Sequence, residues 1–186
     1  MRSPYNFIVT PLHNRRYDNI KDIGDTEFIT SVSEEDYEAS NRLAKVISLP
    51  IDYDGPVEIE DILLVHHNVF KFYYDMKGKQ KSGRSYLKDN LFLVDNEQFF
   101  LYKRNGKWNA HGKYCFIKPI KAKKSFILKR GEEPLMGIVK YINQELLDLG
   151  VKEGDEISFQ PDSEYPFTVD NEKVYRMFTN NITMII

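Results

Sequence analysis

The chain has 186 residues, of which 41% are hydrophobic and 13% aromatic, a composition that packs a core and excludes an intrinsically disordered protein. Its 26 Lys and Arg nearly balance its 28 Asp and Glu, so no field of one sign marks nucleic acid or an anionic membrane as an obligatory partner, and neither is expected. One cysteine, Cys115, excludes an intrachain disulfide framework and a thiolate metal cage, and suits a reducing compartment.

In chain order, residues 1–10 carry no apolar signal core, and no later run approaches the ~20 apolar residues of a membrane span, so a cytoplasmic protein is expected. Short runs rich in Val, Ile, Phe and Tyr then alternate with turn residues. They cover 6–9, 43–47, 61–72, 90–94, 98–103, 114–120, 125–128, 137–142, 156–159, 173–178 and 182–186, and predict strands. Helical signal is scarce: 34–44 holds helix formers on a poor apolar stripe, and 144–149 offers one turn before Gly150. The expected fold class is all-β.

The chain also repeats itself. Val94-Asp95-Asn96-Glu97 recurs as Val169-Asp170-Asn171-Glu172, Val57-Glu58-Ile59-Glu60-Asp61 is matched by Val151-Lys152-Glu153-Gly154-Asp155, and Val9-Thr10-Pro11-Leu12 by Ile117-Lys118-Pro119-Ile120. Three landmarks in one order predict a duplication, with units 1–119 and 120–186 sharing a boundary strand near 114–121. The first unit is the longer, because its loops are expanded.

These landmarks resemble the GroES-like co-chaperonins. The family's opening strand runs into a Pro-Leu-x-Asp-Arg motif, to which Pro11-Leu12-His13-Asn14-Arg15 is similar with Asn14 in the acid's place, and its Val-Lys-x-Gly-Asp turn is matched by Val151–Asp155. The resemblance implies two small GroES-like β-barrels in tandem and no enzymatic activity. It further implies that the long segment 20–42 is a chaperonin-binding loop, with Phe28, Ile29, Thr30 and Val32 as its apolar contact residues. The implied partner is a GroEL-like chaperonin ring, engaged by a homo-oligomer that assists protein folding. The second unit has only 129–134 in that place, too short to reach a partner. A rival reading is a structural or assembly protein, such as a virion component, that reuses the fold without touching a chaperonin.

Other chemistry is weaker. Residues 78–85 come near a phosphate-binding loop, but Arg84 stands where lysine is required and a strand follows, so a basic solvent loop is expected. His66 and His67, adjacent in a predicted strand, would point to opposite faces and could not share a metal. Cys115 lies in an apolar run with no base beside it, Lys118–Arg130 is a basic cluster on a solvated face, and no GxGxxG occurs. No catalytic residue, metal or cofactor is assigned.

Overall fold

The computed structural model describes residues 1–17, 40–122 and 131–186, together with the backbone of 20–23 and 26–29. The chain forms two compact units, Met1–Gly106 and Lys107–Ile186. The sequence division at 119/120 would cut a strand that lies whole within the second.

The first unit holds strands β1 (Phe7–Pro11), β2 (Ile20–Ile23), β3 (Thr26–Ile29), β4 (Leu43–Ser48), β5 (Ile62–Val65), β6 (Phe72–Tyr74), β7 (Gln80–Ser82), β8 (Tyr86–Lys88), β9 (Leu91–Val94) and β10 (Phe99–Arg104). The second holds β11 (Lys107–Ala110), β12 (Tyr114–Lys121), β13 (Glu132–Tyr141), the short helix α1 (Gln144–Asp148), β14 (Glu156–Phe159), β15 (Tyr165–Val169), β16 (Glu172–Phe178) and β17 (Ile182–Ile185). The fold is all-β.

Set aside strand β11 and the hairpins β2–β3 and β6–β7, and the two units share one strand order. The first sheet runs β10-β5-β4-β1-β9-β8 and the second β17-β14-β13-β12-β16-β15. Numbered along the chain, each reads sixth, third, second, first, fifth, fourth.

The registers coincide as well. Val9 faces Val46 as Ile117 faces Val139, and Pro11 faces Ala44 as Pro119 faces Gly137. A bulge interrupts the pairing of first and second strands at the same point in both: Ile8 faces Ser48 but Val9 faces Val46, and Phe116 faces Tyr141 but Ile117 faces Val139, so Ile47 and Lys140 are the extra residues on the second strand. Phe99 meets Val65 as Ile182 meets Phe159. The cores follow: Phe7, Val9, Val46, Val57, Leu63, Val65 and Val94 are replaced, position for position, by Cys115, Ile117, Val139, Val151, Ile157, Phe159 and Met177, all buried. Where the first core takes Tyr53 from the link between its second and third strands, the second takes Leu146 from α1. That helix is one turn long because Asn143 caps its start, accepting from the Leu146 N–H at 3.0 Å, and Gly150 (φ +86°) stops it.

The link into the third strand is built twice in the same way. Asp61 Oδ2 accepts from the Glu58 N–H at 2.8 Å, and Asp155 Oδ2 accepts from the Lys152 N–H at 2.8 Å. The residue before each aspartate has positive φ, Glu60 at 77° and Gly154 at 96°. Its N–H donates to the second strand, from Glu60 to Val46 O at 2.9 Å and from Gly154 to Val139 O at 2.8 Å. Only the second unit uses the residue that adopts this conformation without strain.

Four sequence expectations change. The duplicated Val-Asp-Asn-Glu tetrapeptides sit at different turns: Asp95 precedes the sixth strand, whereas Asp170 and Asn171 (φ 47° and 63°) join the fourth to the fifth. The counterpart of the latter is Asp89-Asn90, with φ 46° and 61°. The predicted strand over 61–72 ends at Val65, because the Val69 N–H turns back onto His66 O at 3.0 Å. His66 and His67 therefore lie beyond the strand with rings side by side, centroids 4.1 Å apart, and not on opposite faces. Finally, the strand order among the described residues is open where barrels were expected, since closure requires terminal strands to pair with each other. Here β15 pairs with β16 and β17 with β14, at opposite ends of their sheet.

The matched turns carry unequal loads. Asp155 serves its turn alone, while the buried Asp61 also receives Arg104 Nε at 3.2 Å and Nη2 at 2.7 Å. Asp155→Ala should cost about 1 kcal/mol in urea unfolding, and Asp61→Ala about 2–3 kcal/mol because Arg104 loses its buried carboxylate partner and keeps only the exposed Glu58. Equal losses would show that the Arg104 pair adds nothing.

Candidate functional site

The implied partner-binding segment, 20–42, links β1 to β4. Its described backbone is the hairpin β2–β3, in which Ile20 faces Ile29 and Lys21 faces Phe28. Phe28 and Ile29 thus belong to a paired strand. Thr30 and Val32 lie outside the described residues, as does most of the segment expected as a helix, apart from its end, which opens β4. In the second unit the corresponding link is 122–131. The predicted strand 125–128 lies outside the described residues there, and the Ala122 N–H meets Gly131 O at 3.3 Å.

The base of the first loop is a built neck. The chain leaves β1 through a short 3-10 turn, Leu12–Asn14, whose His13 and Asn14 have φ of 57° and 59°, a conformation asparagine tolerates. Tyr17 then bridges to Ser40, and the Asn41 N–H donates to Arg16 O at 3.0 Å, closing the outgoing chain on the returning one. Asn41, nearly buried, donates through Nδ2 to Leu12 O at 3.0 Å and to Arg15 O at 2.6 Å, and accepts from the Leu43 N–H at 2.9 Å. One side chain thereby ties the exit of the loop to the turn that starts it.

Arg16 anchors the neck to the sheet. Its guanidinium lies 4.2 Å from the Phe72 ring centroid, 4.7 Å from Phe92 and 5.0 Å from Tyr86. It also donates to Ser82 Oγ at 3.1 Å and to Asn90 Oδ1 at 3.4 Å. Tyr17 stacks on Phe72 at 5.7 Å and its hydroxyl accepts from the Phe72 N–H at 3.2 Å. Burial pulls the Arg16 pKa below its ordinary value, opposed by Tyr86 and Tyr17, so the aromatic cage holds a partly desolvated cation.

His67 adjoins the same neck, its carbonyl accepting from Ser40 Oγ at 3.1 Å. Burial first, then the neighbouring His66, Arg42 and Lys71, lowers its pKa to about 4. It is neutral in the folded protein at ordinary pH.

A hollow of about 520 Å³ lies elsewhere on the first unit, lined by Ile8, Ile47, Leu49, Ile59 and Leu91 with Met1 and Arg2 at its rim. The register equivalents of Ile47 and Ile59 in the second unit are Lys140 and Glu153, so the fold itself does not require this apolar surface.

Cys115 is buried, and burial with a smaller contribution from Glu145 pushes its thiol up to about 12. Among the described residues no three His, Cys, Asp or Glu side chains gather as a metal site, and no helix is long and apolar enough to cross a membrane. Sequence reasoning pointed to the loop and missed its neck. The only signal was the pairing of Arg15-Arg16-Tyr17 before the loop with Ser40-Asn41-Arg42 after it, and nothing in composition names Phe72 or Tyr86 as their partners.

Arg16→Ala should destabilise the protein by about 2 kcal/mol, since three ring contacts and the packing of the aliphatic stem go together. Calorimetry showing an unchanged transition would refute the anchor. His67 makes the second prediction. Its folded pKa lies below its unfolded one of about 6.5, so the unfolded chain binds more protons between those values and stability falls as pH drops from 6.5 through 4. Plotting Tm against pH should give a shallower acid slope for His67→Gln than for the wild type, and parallel slopes would exclude the histidine as a cause. No protein-family model and no curated protein matches this chain.

Proposed function

We propose that this chain is a co-chaperonin-like protein of two GroES-like modules, which binds a chaperonin ring through the loop 20–42 and assists protein folding. The observation that carries the reading is an asymmetry between otherwise matching modules. Both have the Pro-bearing first strand and the aspartate turn before the third strand, in the order that resembles the GroES-like proteins. The first alone has a long insertion between its first and second strands, where that family carries its contact loop. The neck around Arg16 and Asn41 favours a loop presented from a fixed base, which lowers the ordering cost of binding.

On this reading Phe28 and Ile29 are the anchors, with Thr30 and Val32 beside them. Burying one such apolar side chain contributes ~1.5–3 kcal/mol, so one loop binds weakly. Several loops engaging one symmetric ring raise the avidity by roughly 10²–10⁴. The protein therefore acts as a homo-oligomer. Self-association is favoured by the sheet edge at β17, where Met184, Ile185 and Ile186 are exposed, and by the apolar hollow beside Ile47.

Replacing Phe28 and Ile29 together by Asp should abolish co-sedimentation with a GroEL-type ring while leaving the thermal transition nearly unchanged. A double variant that unfolds would place both residues in the core instead. A variant that folds and still binds would move the contact elsewhere, and a wild-type chain that never binds the ring would favour the assembly-protein reading.

A further inference from the structure

The two modules differ at one more place. Between the third and fourth strands the second unit has five residues, Gln160-Pro161-Asp162-Ser163-Glu164, with no aromatic ring and no cation. In the same place the first unit runs from His66 to Ser85 and builds the hairpin β6–β7, a separate two-stranded sheet. A connection this long inside a module that manages with five residues calls for a use.

Its composition is lopsided. Residues 70–88 carry Lys71, Lys77, Lys79, Lys81, Arg84 and Lys88 against one carboxylate, Asp75, in a chain whose overall charge is only −2. That carboxylate is occupied by its own turn: Asp75 Oδ1 accepts from the Lys77 N–H at 2.9 Å and the Lys79 N–H at 3.0 Å. Gly78, at φ +71°, closes the turn by donating to Asp75 O at 2.8 Å. The tip is thus a formed turn that presents cations. Lys77, Lys79, Lys81, Arg84 and Lys88 are all exposed, and among the described residues none has a carboxylate partner.

Aromatic rings stand among these cations. Tyr73 is 51% exposed and faces Lys81 across the hairpin, so ring and ammonium share one face. Tyr74 is 52% exposed, Met76 is fully exposed, and Tyr86 on the adjoining strand β8 is 39% exposed. Hairpin and edge strand belong to one surface, because Arg16 touches the rings of both Phe72 and Tyr86. A protein-binding surface favours aromatics but is depleted of lysine, and a purely solvated loop favours lysine but gains nothing from half-exposed tyrosines. A partner with phosphates and flat apolar bases uses both.

We propose that the β6–β7 hairpin and β8 form a docking surface for single-stranded nucleic acid, with Lys77, Lys79, Lys81 and Arg84 on the phosphates and Tyr73 stacking on a base. The near neutrality of the whole chain conceals this surface because acidic residues elsewhere offset it. The inference does not depend on chaperonin binding. Fluorescence anisotropy of the full chain with a labelled oligo-dT of twenty nucleotides tests it. Binding should be measurable at about 50 mM salt and fall with a log–log salt slope near −3, as four neutralised phosphates on a single strand require. The charge-removing variant Lys77→Gln/Lys79→Gln/Lys81→Gln should lose affinity at least about tenfold and flatten that slope. Tyr73→Ala should lose about fivefold or more with the slope unchanged. All these side chains are exposed, so the thermal transition should not move. Absence of binding at low salt, or undiminished binding by the triple variant, overturns the proposal. Two further results do so as well: binding of a polyglutamate peptide as tight as that of the oligonucleotide and indifferent to Tyr73→Ala, which marks an acidic protein surface, or binding of phosphatidylserine vesicles without oligonucleotide binding, which marks a membrane.

Discussion

The bulge in the second strand of each module, where it pairs with the first, is the constraint on which the rest depends. That strand is central, paired on both sides, and its side chains must alternate between core and outer face. An extra residue on the second strand, Ile47 in one module and Lys140 in the other, resets that strand's alternation so that Val46 and Val139 enter the core opposite Val9 and Ile117. The same valines accept the N–H of Glu60 and of Gly154, so the bulge, the second strand and the aspartate turn form one hydrogen-bonded assembly. In the second module the fit is tight enough to exclude a side chain: a Cβ at Gly137 would stand 2.3 Å from Ile117 Cγ2.

Given that frame, the modules are free to diverge where the frame does not reach. They do so at links between strands. The first-to-second link carries the long loop in one module and a short one in the other, and the third-to-fourth link carries a basic hairpin in one and five residues in the other. The two elaborations of the first module are joined, since Arg16 and Tyr17 at the neck of the loop lie on Phe72 at the start of the hairpin.

Identical sequence did not mean equivalent place. In Val94-Asp95-Asn96-Glu97 the aspartate accepts from the Glu97 N–H at 2.9 Å, ending a strand. In Val169-Asp170-Asn171-Glu172 it leaves the turn and accepts from Trp108 Nε1 at 3.0 Å. Short polar turns are interchangeable modules of backbone geometry, and their residues are reused wherever positive φ or an amide acceptor is wanted. The true counterpart of the second copy, Lys88-Asp89-Asn90-Leu91, keeps only the two turn residues that the geometry requires.

What the sequence determined by itself was local: the all-β class, the strands with strong alternation, the one-turn helix stopped by Gly150, and the two landmarks whose spacing is held by hydrogen bonds within a few residues. Alternation and turn chemistry act over such distances, so they are written in consecutive positions. Strand pairing, open sheets and the cage around Arg16 were decided only by the tertiary structure. Each joins residues far apart in sequence, as Arg16 joins Phe72, Tyr86 and Phe92, and no periodicity within a window of the chain records which distant ring will cover a given cation.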